Sequence, residues 1–359
     1  MTSAESKEGF KPSLRWYLVL GTLVAGLAWI VLSEGPSDVR GFDGETMGTP
    51  YTVRIDPPIS RREMIESQRA LEELMRRLDQ ELWSTWTPFS ELSRFNAHAS
   101  TDPHPVSQDT AALVRRALAI AEASGGRFDP TVAPLVRAFG FGAEAAASPP
   151  DTDALASLRR RVGHGNVRVL ENPPRLRKTH PEVELDLSGI AKGRVVDDAI
   201  ALLRRRHPDR AIMVEIGGEV CGHGRKTNGQ PWRIGIQDPR TPVPTVLQSV
   251  PLENRCMATS GDYRQFREHH GARYGHTLDP LTGRPRETDL ASVTVFADRC
   301  EDADAWATAL LVAGRTLAAE LSPHPALLLR PVGEDLARET IAGADGVDLV
   351  ADLLASGLP

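Results

Sequence analysis

The stretch ELDLSGIAKG, Glu184 to Gly193, constrains this chain more than any other. Val183, Leu185 and Leu187 alternate, which predicts a strand that delivers Asp186 and Ser188 to its end. Gly189 and Gly193 then let the backbone turn and approach a neighbour closely. Val195, Val196, Ala199, Leu202 and Leu203 recur at helical spacing, predicting a helix from Arg194 to Arg206. A strand, a glycine turn with one carboxylate and one lysine, and a helix start suit an anionic ligand whose phosphates take backbone N–H groups and a cation. The same residues also suit a tight connection with a solvated Lys192.

A chain of 359 residues holds one large or two ordinary domains. Its 41% hydrophobic and 25% charged residues are those of a folded body. A net charge of -6, with no block of Lys and Arg, gives no general attraction to nucleic acid. Cys221, Cys256 and Cys300 are isolated and odd in number, with no CxxC spacing. They indicate neither a zinc knuckle nor a disulfide framework and read as buried or bystander thiols.

The N-terminus reads as an address. Lys7, Lys11 and Arg15, within a cytoplasmic segment 1–15, precede the uncharged apolar run Trp16–Leu32. That run sits at the short end of the ~17–25 residues that span a bilayer. Basic residues before it predict a cytoplasmic N-terminus and an exported body. A cleavable signal peptide is the competing reading, but Trp29–Leu32 continues the run past the small residues Gly26 and Ala28. An uncleaved anchor is favoured. No cysteine follows the run, which excludes a lipoprotein anchor. Ser33–Asp43 reads as a polar linker, and the exported domain as 44–359.

Within the body, Tyr51, Val53 and Ile55 alternate as in a strand behind Met47 and Gly48. Arg61–Leu82 is an amphipathic helix with Leu71, Leu74, Met75, Leu78 and Leu82 on one face. The segment from Trp83 to Asn96 is dense in aromatics in a chain with only 5% of them, and so makes either a core corner or a stacking wall. Asp109–Ser124 is a second helix, capped by Gly125 and Gly126, after which a loop presents Arg127, Phe128 and Asp129. Further strands are expected at 167–170, 211–220, 232–239 and 291–297, and helical stretches in the tail at Leu336–Ile341 and Val347–Leu354. The loop Ala143–Pro150 reads as exposed. His276 and Asp279 lie three apart among polar turn residues. Cys300–Leu310 opens a helix on which Asp304 and Thr308, four apart, share a face. A carboxylate and a hydroxyl are the hard oxygen donors that a phosphate-bound Mg²⁺ needs; the plainer alternative is an acidic first turn and a back-bonded threonine.

Taken in order, TMGTPY, WSTWTPFSELSRFN, GGRFDPTVAPLV, FGFG, LDLSGIAKG, EIGGEV, WRIGIQDP, ATSGDYRQF, YGHTLDPLTGRP and CEDADAWATAL resemble the ApbE family of exported flavin transferases, from about Thr46 to Leu311. The resemblance implies an enzyme that binds FAD and Mg²⁺ and transfers FMN to a threonine hydroxyl of a partner protein, releasing AMP. Met47, Trp86, Arg127, Phe128, Asp129, Asp186, Lys192 and Leu278 fall on its FAD-contacting positions. Asp304 and Thr308 match its Mg²⁺ ligands, with Gly189 contributing a backbone carbonyl. His276 is the candidate general base, with Asp262 and Asp279 as candidates for orienting it or binding the metal. Trp86 stands where a tyrosine is usual, Gly275 where a serine is common, and the family's frequent lipoprotein cysteine is absent.

The implied fold is α+β, mixed sheets flanked by helices, with FAD in a cleft between two lobes of a single domain behind one N-terminal transmembrane helix. The implied partner is an exported or membrane-anchored redox subunit with a threonine acceptor motif, as in a sodium-pumping quinone reductase, an Rnf-type complex or a nitrous-oxide-respiration regulator. The implied location is the inner membrane, with the catalytic domain in the periplasm. Two other functions fit the same residues: a Mg²⁺-dependent FAD pyrophosphatase giving FMN and AMP, and a non-catalytic flavin-binding assembly factor.

Overall fold

The computed structural model describes residues 40–142, 146, 148–241, 243–261, 266–269, 272–344 and 350. The apolar run 16–32 and Asp262 lie outside them, as do 143–145 and 147 of the predicted exposed loop. Among the described residues no helix is long and apolar enough to cross a membrane.

An eight-stranded sheet organises the body. Its strands are β1 (Arg40–Thr46), β2 (Thr49–Asp56), β3 (Ala211–Ile216), β4 (Glu219–His223), β5 (Arg255–Gly261), β6 (Ser292–Ala297), β7 (Ala326–Val332) and β8 (Asp335–Ile341). They lie side by side in chain order, and each neighbouring pair is antiparallel. Every strand pairing among the described residues is antiparallel, so the expected mixed sheets run in alternating directions only. Long insertions between these strands supply the helices and the site. The α+β class stands.

The period of two sorts side chains to the two faces of the sheet. Ile212, Val214 and Ile216 of β3 face the main core, while Ala211 and Met213 face a second cluster with Trp232, Ile236, Val250 and Leu252. That second face is covered by the hairpin Trp232–Gln237 and Val246–Leu252. The main core lies under the helices. These are α1 (Arg61–Arg76), α2 (Glu91–Ala97), α3 (Gln108–Ala123), α4 (Ala133–Ala138), α5 (Thr152–Arg159), α6 (Ser188–Arg206) and α7 (Cys300–Leu321). Helix α1 starts on a capping box, with Ser60 accepting from Glu63 N and Glu63 accepting from Ser60 N, and widens into a π-helical turn at Arg77–Trp83. Helix α3 ends as expected, with Gly126 N donating to Ala121 O from a left-handed backbone (φ 78°).

Four expectations are corrected. Arg40–Asp43 is strand rather than linker, because it completes the β1–β2 ladder, Arg40 opposite Ile55. The tail segment 336–341 is strand rather than helix, because it pairs with β7 in register from Ala326–Ile341 to Val332–Asp335. Of residues 347–354 only Val350 is described, and it is helical and buried. Two of the three cysteines are not thiols: Cys221 and Cys256 stand opposite each other across β4 and β5 and form a disulfide, leaving Cys300 free and buried. Their separation of 35 residues hid the pairing, which only the strand register creates.

The fourth correction concerns the central stretch. Residues 183–187 form no strand and belong to no sheet. The Asn96 side chain replaces a neighbouring strand: Leu185 N donates to Asn96 Oδ1 and Asn96 Nδ2 donates to Leu185 O, both at 2.8 Å. Asp186 N donates to Pro130 O at 2.7 Å. The helix then begins at Ser188 rather than Arg194, so Gly189, Lys192 and Gly193 occupy its first two turns.

Gly193 shows why no larger residue fits. A Cβ there would lie 2.3 Å from the Cys300 carbonyl oxygen and 2.8 Å from Glu301 Cα. Helices α6 and α7 cross backbone to backbone at this point. Gly193→Ala therefore lowers stability by about 3 kcal/mol, at the upper end of ordinary overpacking costs. Urea denaturation reads this as a lower midpoint at unchanged slope; an unchanged midpoint would mean that the helices part freely.

Candidate active site

The crossing of α6 over α7 builds the site. Asp304 and Thr308 lie one turn apart on α7, and both face the first turns of α6. The buried Asp304 carboxylate accepts from Gly193 N through Oδ2 (3.0 Å), and its Oδ1 lies 4.0 Å from Lys192 Nζ. Thr308 Oγ1 is 3.2 Å from Ser260 Oγ and sits against Gly189, whose ideal Cβ position is 3.4 Å from it. The Phe128 ring closes the other side of Gly189 at 3.3 Å from the same position. Glu219, the first residue of β4, accepts from Lys192 Nζ at 2.5 Å.

The electrostatics are those of a cation site. Burial lifts the Asp304 carboxyl above its usual range; the Lys192 ammonium pulls it back and Glu219 pushes it up again. One Glu219 oxygen, Oε2, is buried and has no hydrogen-bond partner in the structure. An orphaned carboxylate oxygen beside a second buried carboxylate is costly unless a positive group satisfies it. The carboxylate of Asp304, the hydroxyl of Thr308 and the backbone at Gly189 are hard oxygen donors of the kind Mg²⁺ takes. The residues present therefore fit such an ion.

The other expected residues sit in several different settings. Met47 sits in the β1–β2 turn with φ 50° and packs partly buried on the main core. The aromatic segment is both core corner and exposed wall. Trp83 and Phe95 are buried, whereas Trp86 is 73% and Phe89 78% exposed, leaving the Trp86 ring open to a flat partner. Arg127 forms an ion pair with Asp279 at 3.7 Å. Asp129 is buried with both oxygens engaged: Oδ1 accepts from Thr131 N and Oγ1 within its own loop, and Oδ2 accepts from His164 N, 35 residues later. Asp186 Oδ1 accepts from Ser188 N at 2.8 Å and shapes the entry into α6. Leu278 is buried in a small cluster with Leu135, Phe139 and Leu155. His276 lies edge-on to Phe141, ring centroids 6.3 Å apart.

Lys192 is held by Glu219 and Asp304 rather than standing solvated. Asp279 is engaged with Arg127 and with Leu281 N. Three residues escaped the sequence reading. Glu219 follows the glycine pair of EIGGEV, and Ser260 lies in ATSGDY, so position in those blocks was the available signal. Asp197 is the third. It caps α7 from α6, accepting from Cys300 N (2.8 Å) and Glu301 N (3.0 Å).

Burial raises the Asp197 carboxyl to about 7, with the two N–H donors offsetting part of the shift. Between about 4 and about 7 the folded chain thus keeps a proton that the unfolded chain has released. Stability falls as pH rises through that window. Asp197→Asn keeps one of the two acceptors and removes this titrating contribution, so the denaturation midpoint declines less steeply from pH 4 to 7. An identical slope in the variant would contradict the assignment.

Known proteins resemble this chain in sequence and fold. A model of the ApbE family matches residues 47–327. The FAD:protein FMN transferase of Vibrio cholerae is 36% identical over 312 residues, covering 85% of this chain and 92% of that protein. The solved flavin transferase ApbE from Vibrio cholerae superposes with a TM-score of 0.76 at 33% identity, covering 86% of this chain and 99% of that one. The apo flavinyl transferase ApbE of Pseudomonas stutzeri gives 0.77 at 31% identity, over 89% and 98%. With the family model matched over residues 47–327 and relatives above 30% identity covered over most of their length, the chain belongs to the ApbE family.

Proposed function

We propose that this chain is a FAD:protein FMN transferase that moves the FMN half of FAD onto a threonine hydroxyl of a partner protein and releases AMP, with Mg²⁺ required. The observation that carries the reading is the buried Asp304 carboxylate and orphaned Glu219 oxygen, grouped with half-buried Thr308 and Gly189 beside Lys192 at a helix crossing. The names of the relatives support the same chemistry.

Asp304, Thr308 and the Gly189 carbonyl would hold Mg²⁺, which when bound supplies charge neutralisation to a phosphoryl group in transfer. The protein's own residues supply positioning. Exposed Trp86 offers a face to the flavin rings and half-buried Met47 offers apolar surface, while Phe128 is buried in the core and packs against Gly189 from within. The Arg127–Asp279 pair fixes the loop that carries His276 against the loop after α3. His276 takes the proton of the acceptor hydroxyl as the phosphoester forms, and the AMP oxygen leaves.

The acceptor is an exported or membrane-anchored redox subunit with a threonine motif. Residues 16–32 anchor the chain in the inner membrane, with residues 44–359 in the periplasm; the strand at Arg40 moves the start of the folded body four residues earlier. Chromatography of the reaction with and without acceptor tests the reading. Acceptor-dependent AMP release with no free FMN is expected. Equal FMN and AMP regardless of acceptor would instead identify a FAD pyrophosphatase, and intact FAD a flavin-binding assembly factor.

A further inference from the structure

Three sulfurs converge behind the first turn of α7. Cys221 of β4 and Cys256 of β5 form the disulfide, and Cys300 opens α7 beside them. Their three Sγ atoms lie within 4.8 Å of one another, all buried. The Asp197 carboxylate closes the group, with Oδ1 at 4.0 Å from Cys221 Sγ and 3.9 Å from Cys256 Sγ. The four side chains come from four different elements, so the packed fold fixes their meeting. A disulfide uses two of the sulfurs and leaves the buried Cys300 thiol free beside it, and flavin transfer uses none of the three; Asp197 reaches the sulfurs while it caps α7.

The spacing suits a metal. Four ligands around zinc, with bonds of about 2.3 Å to sulfur, place tetrahedral ligand sulfurs about 3.8 Å apart. The present cluster spans that separation once the S–S bond opens. Thiolates select a thiophilic ion over Mg²⁺. A cavity of about 630 Å³ lined by Asp197, Cys221, Cys256, Arg255 and Arg299 gives access from outside. Arg299, 3.9 Å from Asp197, meets the negative charge that three thiolates and a carboxylate leave around a divalent ion.

We propose that, after reduction of Cys221–Cys256, the three cysteines and Asp197 bind one thiophilic divalent cation of the zinc class. A dithiol reductant supplies two electrons and two protons, is itself oxidised to a disulfide, and converts Cys221–Cys256 to two thiols. The incoming ion then displaces three thiol protons, while Asp197 binds as the carboxylate.

Cobalt reports the site by sulfur-to-metal charge-transfer absorption, which an oxygen-only Mg²⁺ site cannot produce. The full-length chain in detergent is reduced with a phosphine, freed of reductant without oxygen, and titrated with Co²⁺. One cobalt per chain is expected, with the charge-transfer band, displaced by one equivalent of Zn²⁺. The oxidised chain shows no band, and Cys300→Ser weakens binding by about tenfold or more. Alkylation of wild type provides a second reading that does not depend on the folding of that variant: Zn²⁺ shields all three reduced cysteines. A reduced chain with no charge-transfer band, an unchanged affinity in Cys300→Ser, or alkylation of Cys300 at the same rate with and without Zn²⁺ would overturn the proposal.

Discussion

Asp304→Ala lowers the rate of FMN transfer, per folded chain, about a thousandfold. Asp304 is the one charged oxygen donor in the group with Thr308 and the Gly189 carbonyl, and it holds that position through Gly193 N. A metal's contribution to phosphoryl transfer is several kcal/mol, and each 1.36 kcal/mol is tenfold in rate. The substitution leaves Gly193 N without its acceptor and Lys192 with Glu219 as its close carboxylate partner, so rates are compared on the folded fraction. Thr308→Val removes a neutral donor, whose Oγ1 also meets Ser260, and its effect is smaller. Initial rates at saturating Mg²⁺, with thermal unfolding as the control, check both. A rate for Asp304→Ala within tenfold of wild type would remove the metal from this position.

His276→Ala keeps FAD binding and lowers transfer by about 10²–10⁴-fold, the usual range for a general base. His276 stands on the turn between the strands Ala272–Gly275 and Leu278–Asp279, and the Arg127–Asp279 pair ties that turn to the loop after α3. Flavin fluorescence separates the two effects. Unchanged FAD affinity with slow transfer supports the role. Wild-type turnover would transfer it to another acceptor, with Asp279 the next candidate. Arg127→Ala, which frees Asp279, is expected to reduce transfer less than His276→Ala.

Much of this site was readable from residue order because helical spacing is a local property. The i,i+4 relation of Asp304 and Thr308 follows from one helix, and α7 carries both as expected. The amphipathic α1 and the glycine end of α3 are equally local. What escaped depends on residues far apart in sequence. The run at 183–187 has the alternation of a strand, yet its partners are the Asn96 side chain, 89 positions away, and the Pro130 carbonyl. Periodicity cannot distinguish that from a neighbouring strand. Likewise Gly193 reads as a turn glycine, whereas the requirement comes from the Cys300 backbone more than 100 residues later. The Cys221–Cys256 bond needs the β4–β5 register. Glu219 gains its meaning only when β4 brings it to Lys192.

The tail shows the opposite limit. Leu336–Ile341 carries helix-forming residues, but β7 presents an open edge and its ladder outweighs local propensity. Trp86 illustrates how exposure resolves an ambiguity that composition cannot: of the aromatics in its segment, Trp83 and Phe95 are core, and Trp86 and Phe89 face outward.

The most direct test weighs the acceptor. The full-length chain is incubated with FAD, Mg²⁺ and a protein bearing a threonine acceptor motif, and the acceptor is analysed by intact mass and by fragmentation. The account predicts a gain of one FMN on the threonine, absent when Asp304→Ala replaces wild type. An acceptor of unchanged mass, in a reaction where wild type splits FAD into free FMN and AMP, would contradict it.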